Sequence, residues 1–278
     1  MMQTGQQFFK SSPLVLIAAL LLTLMLGGAL LGPAISPWDG EAMDFDALEA
    51  PPSASHWFGT DQVGRDLFVR TMEGARVSFL VAFIAVTVSL AIGIPWGAAA
   101  GLAGGRVDQV MMRIVDGLYC LPGILIVILL VVLFGRNPYL LFAALGAISW
   151  LTIARIVRGQ TLRLRNAPFI EAARGMGLSS AYILRKHVIP NVIGPVIVYT
   201  TLAIPAVILA ESFISFLGLG IAEPQTSWGV LVSDGTAAME SSPWMLLFPA
   251  LCLGTTVWSF NTLGDRLRDY LDRREHVN

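Results

Sequence analysis

Three carboxylates, Asp108, Asp116 and Glu211, lie within or beside long apolar stretches of this 278-residue chain. Carboxylates in such surroundings can exchange protons with a substrate, so one hypothesis is an intramembrane enzyme, such as a protease or a lipid transferase. Their predicted depths in the membrane differ, however, and no spacing brings them together. The sequence also has no Gly-x-Ser-x-Gly motif, no His-Glu-x-x-His motif and no phosphate-binding loop ending in Lys-Ser or Lys-Thr. We therefore expect no catalytic residue and no nucleotide hydrolysis by this chain.

The residue types that bind metal ions are sparse. His56 has no second His or Cys at a ligand spacing. Cys120 and Cys252 both fall inside apolar runs, and their spacing fits neither a metal site nor a disulfide framework. We expect no metal site, no cofactor bound by the chain itself, and a packing role for both cysteines.

Glu211 is the ionisable residue placed deepest in an apolar segment. A carboxylate inside a membrane is costly, which makes Glu211 a candidate for lining a transport pathway or stabilising a gate. The alternative is a glutamate near the interface, solvated or paired with a helix end. Asp116 lies three residues after Arg113, and that spacing predicts a local ion pair on one helix.

A polar, basic segment, residues 158–190, separates two strongly apolar stretches. Pro168 stands where a helix can begin, and residues 169–176 favour helix formation. Gly177 can adopt the left-handed conformation that terminates a helix. The spacing therefore predicts one short helix that ends at Gly177.

A second short helix is predicted after that turn. Ser179 or Ser180 can cap a helix over residues 181–184, and Pro190 marks the return into the membrane. The result is a helix-turn-helix lying at the bilayer surface.

Two apolar side chains, Ile170 and Leu178, are predicted to be exposed on this helix-turn-helix. A short helix of that kind can dock into the groove of a partner protein. It can equally hold anionic lipid through its arginines. These residues alone leave both interpretations open.

The composition indicates a membrane protein. Hydrophobic residues make up 55% of the chain, charged residues only 13%, and the mean hydropathy is +0.69. A soluble domain carries about 25% charged residues. A chain of this size cannot bury so much apolar surface in one aqueous core, so lipid is its expected solvent.

Six apolar segments are long enough to cross a hydrocarbon core of about 30 Å. They must be helices, because lipid cannot satisfy backbone hydrogen-bonding groups. Four prolines inside them are expected to kink the helices rather than end them: Pro95, Pro122, Pro205 and Pro249. The segments are Leu14–Leu31, Val77–Ala103, Met111–Phe134, Pro138–Ile153, Pro190–Phe216 and Pro243–Phe260.

The distribution of charge predicts the orientation. Residues 155–186 hold seven basic residues against one acid, and the tail after Phe260 adds four arginines. Residues 32–76 instead hold eight acids and three arginines. Because basic loops face the cytoplasm, both termini and the loop around Glu171 are predicted inside, with 32–76 and 218–242 outside.

These inferences divide the chain into five parts. They are a cytoplasmic N-terminus (1–13), a first transmembrane helix (14–31), an external segment (32–76), a five-helix transmembrane core (77–262) containing the loop 158–190, and a cytoplasmic tail (263–278). A cleavable signal peptide is the alternative for the first helix. Its run of 18 apolar residues exceeds a typical signal peptide, so we expect retention.

Several motifs resemble one family of membrane proteins. Glu171-Ala172-Ala173, Gly177 and Pro190 have the spacing of the coupling loop in permease subunits of binding-protein-dependent ATP-binding-cassette importers. His56, Gly59-Thr60-Asp61 and Gly64-Arg65-Asp66 resemble a signature of the C-type subunit of dipeptide, oligopeptide and nickel permeases. Stretches 104–108, 215–220 and 264–269 are also similar to that family, in the same order. The resemblance covers residues 38–272, and His187 ahead of Pro190 fits its peptide branch.

The resemblance implies a type I importer permease with six transmembrane helices, in which the loop docks on an ATPase. The implied partners are a second, similar permease subunit, two ATPases that carry ATP and Mg²⁺, and an external solute-binding protein, with no nucleic acid. The chain would be a multi-pass protein of the bacterial inner membrane that forms half of a pathway for di- or oligopeptides. Nickel or another small solute is the alternative cargo, and a passive channel is a further alternative. The implied coupling residues are Ile170, Glu171, Ala172, Ala173, Arg174, Gly177 and Leu178.

Overall fold

A computed structural model describes residues 13–135 and 137–275. Within these ranges the chain is all-α, as predicted, with ten α-helices and no β-strand. The predicted cytoplasmic N-terminus, apart from Pro13, and the last three residues of the predicted tail lie outside these ranges. The helices are α1 (Pro13–Ile35), α2 (Leu67–Ala103), α3 (Gly105–Tyr119), α4 (Gly123–Phe134), α5 (Pro138–Leu164), α6 (Pro168–Gly175), α7 (Ser180–Ile183), α8 (Ile189–Phe216), α9 (Trp228–Ala237) and α10 (Trp244–Glu275).

The described helices provide five or six membrane crossings. Five spans are long and apolar enough to cross a membrane: α1, α2, α5, α8 with the preceding α7, and α10. The bent pair α3–α4 adds a sixth if it counts as one crossing. Each coincides with one of the six apolar segments of the sequence. Pro95, Pro205 and Pro249 lie inside α2, α8 and α10, which continue through them as predicted.

The third predicted span is not a single kinked helix. α3 and α4 are bent by 72° relative to each other at a short break. Pro122 causes the break, because it has no N–H for the helix and disfavours the helical conformation of the residue before it. Pro122 therefore ends one helix and caps the next, contrary to expectation. Cys120, expected to be a packing residue, is exposed at this break, whereas Cys252 is buried as expected.

The second span begins earlier than the sequence predicted. α2 starts at Leu67, so the predicted boundary at residue 77 lies ten residues inside the helix. Asp66 fixes this start, since its carboxylate accepts a hydrogen bond from the backbone N–H of Val69 at 2.9 Å. The fourth span likewise continues past its predicted end at Ile153 to Leu164.

Glycines bring α2 and α5 into close contact. Gly93, Gly97 and Gly101 recur at every fourth position of α2, and all three face α5. A Cβ at Gly93 would lie 2.7 Å from Cβ of Ile153, and one at Gly97 would collide with the carbonyl oxygen of Ala154. Small residues at this spacing allow two membrane helices to pack backbone against backbone. This pair is the central support of the bundle.

The chain between α1 and α2, residues 36–66, is a compact non-helical segment. It is held internally by a hydrogen bond of 2.9 Å between His56 Nδ1 and Asp66 Oδ2. It is joined to the loop before α9 by the ion pair Arg65–Glu223, and to the region before α10 by a hydrogen bond from Ser242 to Glu49. Residues 36–66 and 217–243 therefore share one end of the bundle, the opposite face. Residues 165–188 lie at the other end, the helix-turn-helix face.

α1 belongs to the packed bundle. Gly28 and Gly32 lie against the side chain of Met72 on α2. The guanidinium of Arg76 donates hydrogen bonds to the carbonyl oxygens of Ala29 and Leu30 at the end of α1. These contacts favour a retained first span.

Candidate functional site

The helix-turn-helix forms from local signals. Pro168 occupies the first turn of α6, where its missing N–H costs nothing. Gly177 has a φ of +76°. Its N–H donates to the carbonyl of Arg174 at 2.9 Å, and the N–H of Leu178 donates to that of Ala173 at 3.2 Å. This pair of hydrogen bonds is a Schellman motif, so Gly177 ends the helix as predicted.

The second helix leads into the membrane without interruption. Ser179 caps α7 by accepting a hydrogen bond from the N–H of Tyr182 at 3.3 Å. A π-helical turn, Leu184–Val188, then joins α7 directly to α8. Pro190 therefore lies inside a continuous helical run and does not mark a separate return into the membrane. A displacement of α7 would be carried along α8.

The structure buries and exposes different apolar side chains of the helix-turn-helix from those predicted. Ile170, expected to be exposed, is fully buried, because it packs with Ile183 and with Val157 and Val192 of α5 and α8. Leu178 is half-buried against the same cluster. The exposed apolar side chains belong to other residues. They are Phe169, Met176 and Tyr182, which are 43%, 72% and 48% exposed.

Most of the other coupling residues predicted from the sequence lie on the exposed side of the helix-turn-helix. Glu171, Ala172, Arg174 and Gly177 are exposed, whereas Ala173 is buried. The exposed surface of the helix-turn-helix therefore combines one acid and several basic side chains with the three apolar ones. An exposed surface that mixes apolar and charged side chains in this way is suited to contact with another protein.

Two ion pairs bind α3 to α5 next to the helix-turn-helix. Arg158 donates to both carboxylate oxygens of Asp108, at 2.5 and 2.7 Å. Arg155 donates to Asp116 at 2.9 Å, and its guanidinium also lies 4.0 Å from the ring centroid of Tyr119. The prediction that Asp116 pairs with Arg113 is wrong. Asp116 faces α5 and pairs with Arg155, which also stacks on the ring of Tyr119. These two pairs tie α5 to the first helix of the bent span.

Glu211 lies at the other end of the bundle and is fully buried. Its Oε1 atom accepts hydrogen bonds from Ser215 at 2.6 Å and from Ser227 at 2.7 Å. The hydroxyl of Ser227 also caps α9 by accepting from the N–H of Val230. The carboxylate thus lies beside a helix N-terminus, where negative charge is favourable. It is not solvated at an interface, since none of its surface is exposed.

The N-terminus of α9 is fastened on its other side as well. Trp228 is fully buried. Its backbone N–H donates to Ser78 at 3.3 Å, and its indole N–H donates to the carbonyl of Thr71 at 3.0 Å. Glu211 on α8 and these two residues on α2 therefore hold α9 between two spans at the opposite face.

A cavity of about 320 Å³ opens between α2, α5 and α8. It lies midway along all three helices, at the level of Ser89, Ser149 and Thr200. None of the described residues that line it carries a charge, and its wall reaches Ala210, the neighbour of Glu211. We call it the mid-membrane groove. Its lining residues are Val86, Ser89, Leu90, Leu145, Ser149, Thr152, Ile153, Ile156, Tyr199, Thr200, Leu202, Ala203, Ala206, Val207 and Ala210.

The residues considered for enzymatic chemistry do not meet. Asp108 and Asp116 are paired with arginines at the helix-turn-helix face, whereas Glu211 is buried near the opposite face. Among the described residues no group of three His, Cys, Asp or Glu side chains could hold a metal ion. The arrangement offers docking and movement rather than bond-breaking chemistry.

Comparison with known proteins identifies close relatives. The chain is 47% identical over 272 residues to the oligopeptide transport system permease protein OppC of Haemophilus influenzae, covering 97% of this chain and 87% of that one. It is 44% identical to the dipeptide transport system permease protein DppC of Bacillus subtilis, with coverage of 97% and 85%. It is also 44% identical to OppC of Escherichia coli K12, with coverage of 98% and 91%.

The fold has a known counterpart. A chain from the inward-facing MetNI methionine ABC transporter superposes with a TM-score of 0.60, at 18% identity, covering 73% of this chain and 96% of that one. At this identity the likeness concerns the fold alone. Residues 93–277 also match the family described as the binding-protein-dependent transport system inner membrane component. Because that match spans most of the chain and the relatives align over nearly all of it, this protein belongs to the family of binding-protein-dependent transport system inner membrane components.

Proposed function

We propose that this chain is the permease subunit of an ATP-driven importer and forms half of a pathway for di- or oligopeptides. The relatives named for peptide transport align over 97% or 98% of the chain. The observation that carries the proposal is the helix-turn-helix, which exposes Phe169, Met176 and Tyr182 beside basic side chains at the end of two spans.

The helix-turn-helix face is the cytoplasmic face in this proposal. Residues 155–186 carry seven basic side chains and one acid, as cytoplasmic loops do. Both termini then lie inside, and the acidic segment 36–66 lies outside. The membrane is the cytoplasmic membrane of a bacterium.

The partners follow from this orientation. Two ATPases, which bind ATP and Mg²⁺, dock at the helix-turn-helix, and a second, similar permease subunit completes the pathway. A solute-binding protein delivers the peptide at the opposite face. The lipid bilayer surrounds the remaining apolar surface, and nucleic acid has no role.

The connections within the chain suggest how the ATPases act. Closure of the ATPases shifts α6 and α7, and the continuous helix from α7 into α8 carries the shift to the mid-membrane groove. The Asp108–Arg158 pair carries movement of α5 to the bent span α3–α4. Glu211 holds α9 at the outer end of α8 and so stabilises the outer gate. The bundle thereby changes between inward- and outward-open packings.

The docking surface can be tested with Met176→Glu. Met176 is 72% exposed, so the substitution leaves the chain's own core intact while placing a charge in an apolar contact. We expect less ATPase to co-purify with the permease and peptide uptake to fall at least tenfold. Gln225→Glu, which adds a carboxylate to an exposed site before α9 at the opposite face, is the control for co-purification of the ATPase. If Met176→Glu retains all of its ATPase, or if the wild-type chain captures no ATPase, the proposal is wrong.

A further inference from the structure

Three hydroxyl groups of the mid-membrane groove have their hydrogens committed to the protein backbone. Thr200 donates to the carbonyl of Val196 at 2.7 Å, and Ser149 donates to that of Leu145 at 2.8 Å. The single hydrogen of the Ser89 hydroxyl is shared between the carbonyls of Ala85 and Gly146, at 2.8 and 3.1 Å. A hydroxyl has one hydrogen and two lone pairs. Each of these oxygens therefore keeps its lone pairs and can act only as a hydrogen-bond acceptor towards an occupant of the groove that its residue lines.

We propose that this groove binds the backbone N–H groups of the transported peptide through these acceptor oxygens. The inference rests on the proposed function and adds to it the groups that recognise the cargo. Three helices contribute one acceptor each: Ser89 from α2, Ser149 from α5 and Thr200 from α8. The rest of the wall is aliphatic apart from Thr152 and Tyr199.

The chemistry of the groove favours a peptide over the other available occupants. A lipid acyl chain has no hydrogen-bond donor, and a helix of the second permease subunit uses its N–H groups within its own backbone. An extended peptide has free N–H groups, and leaving them unpaired away from water is costly. The groove supplies acceptors for them at mid-membrane depth.

The same chemistry explains how the groove recognises peptides regardless of the side chains that they carry. None of the described lining residues is charged, so a basic and an acidic peptide meet the same wall. Contacts to the backbone are common to all peptides. The groove therefore distinguishes cargo by the number of free N–H groups rather than by residue type.

Uptake of an N-methylated peptide tests the proposal. The complete transporter, with its ATPases and binding protein, is reconstituted in liposomes. Initial uptake rates are measured for a tripeptide and for the same tripeptide methylated at its central amide nitrogen. The double variant Ser149→Ala/Thr200→Val removes two acceptors and keeps the volume of the threonine. Because the same binding protein delivers both peptides, its preference cancels when variants are compared.

We expect the wild type to favour the unmethylated peptide, and the double variant to reduce this preference about fivefold, the contribution of the one hydrogen bond that the methylated nitrogen cannot make. Thr201→Val is the matched control, since Thr201 donates to its own helix at 3.0 Å but does not line the groove. An unchanged ratio, or an equal fall for both peptides, would overturn the proposal and assign the groove to lipid, to the second subunit or to packing. Absence of any peptide uptake by the wild type would instead refute the proposed function.

Discussion

Gly177 determines where α6 ends and where the chain turns towards α7. Its φ of +76° is strained for a residue with a branched Cβ, whereas the space around it is open. Gly177→Val therefore acts through the backbone and not through a collision. We expect the transporter to assemble, while ATP hydrolysis stimulated by substrate falls severalfold. The ATPase rate of the purified complex, with and without the binding protein and peptide, measures the effect.

Gly175→Ala serves as the control for that substitution. Gly175 is the last residue of α6, it has no neighbour within 4 Å of an added Cβ, and its φ is not positive. The alanine variant should keep the stimulation of the wild type. Normal stimulation and uptake by Gly177→Val would show that the turn has no role in coupling.

Glu211 offers a second prediction at the same scale. Glu211→Gln keeps an oxygen that can accept from Ser215 and Ser227 but replaces the second carboxyl oxygen with an NH2 group beside the N-terminus of α9. We expect complex yield and basal ATPase activity to persist and peptide uptake to fall severalfold, because the outer gate is less firmly held. Uptake, yield and ATPase rate are measured on the same preparation.

Glu240→Gln is the matched control, since Glu240 is an exposed acid on the same face. A loss of assembly in Glu211→Gln would indicate that Glu211 serves only stability. Unchanged uptake would remove Glu211 from the transport mechanism.

Residues whose role is local were predictable from the sequence, and residues whose role depends on packing were not. Gly177 and Ser179 were predicted from turn chemistry, which involves neighbours within four residues. The burial of Ile170 depends on which side of α6 meets α5 and α8, and a helix of eight residues does not determine that. Ser227 lies 16 residues from Glu211, so their hydrogen bond could not be predicted from spacing.

At the scale of elements, the contact between α2 and α5 depends on Gly97. Its hydrogen faces the carbonyl oxygen of Ala154, and a larger side chain would force the two helices apart. We expect Gly97→Val to destabilise the purified subunit by about 2–3 kcal/mol, in the range of an overpacked core. The melting temperature in detergent and the yield of the complex are the measurements.

Gly159→Ala, on α5, is expected to have the opposite effect on stability. Nothing lies within 4 Å of a Cβ at this position, and alanine in a helix is favoured over glycine by about 0.5–1 kcal/mol. This variant should melt at or above the temperature of the wild type. If both variants melt alike, close packing at Gly97 is not what holds α2 and α5 together.

The sequence predicted the membrane-spanning helices, but it did not predict how two pairs of helices are connected. Six apolar segments predicted the spans, since lipid requires long helices. The break at Pro122 was missed, because Pro95, Pro205 and Pro249 are accommodated within helices and Pro122 was expected to behave in the same way. The Pro122-Gly123 dipeptide is a turn signal that none of the other three prolines carries, and it could have identified the break. The continuous helix from α7 into α8 was missed for the converse reason. Pro190 was interpreted as a boundary, whereas it follows the π-helical turn Leu184–Val188 and the helical run continues through it.

For the whole molecule, charge and structure divide the bundle into two unlike faces. Ion pairs of Asp108 and Asp116 with arginines gather at the helix-turn-helix face, together with the unpaired basic side chains of residues 155–186. The opposite face carries the acidic segment 36–66, anchored to α9 and α10. An importer needs this asymmetry, because the ATPases and the binding protein act on different sides of the membrane.

The orientation can be tested by cysteine labelling in intact cells. Ser53, Ser179 and Ser241 are all exposed, so a cysteine at each can react if the reagent reaches it. In a background without Cys120 and Cys252, a membrane-impermeant maleimide should modify Ser53→Cys and Ser241→Cys but not Ser179→Cys. Position 179 should react only after the membrane is opened with detergent, which shows that its thiol is available. Labelling at 179 in intact cells, with 53 and 241 protected, would invert the orientation and place the helix-turn-helix beyond the reach of any cytoplasmic ATPase.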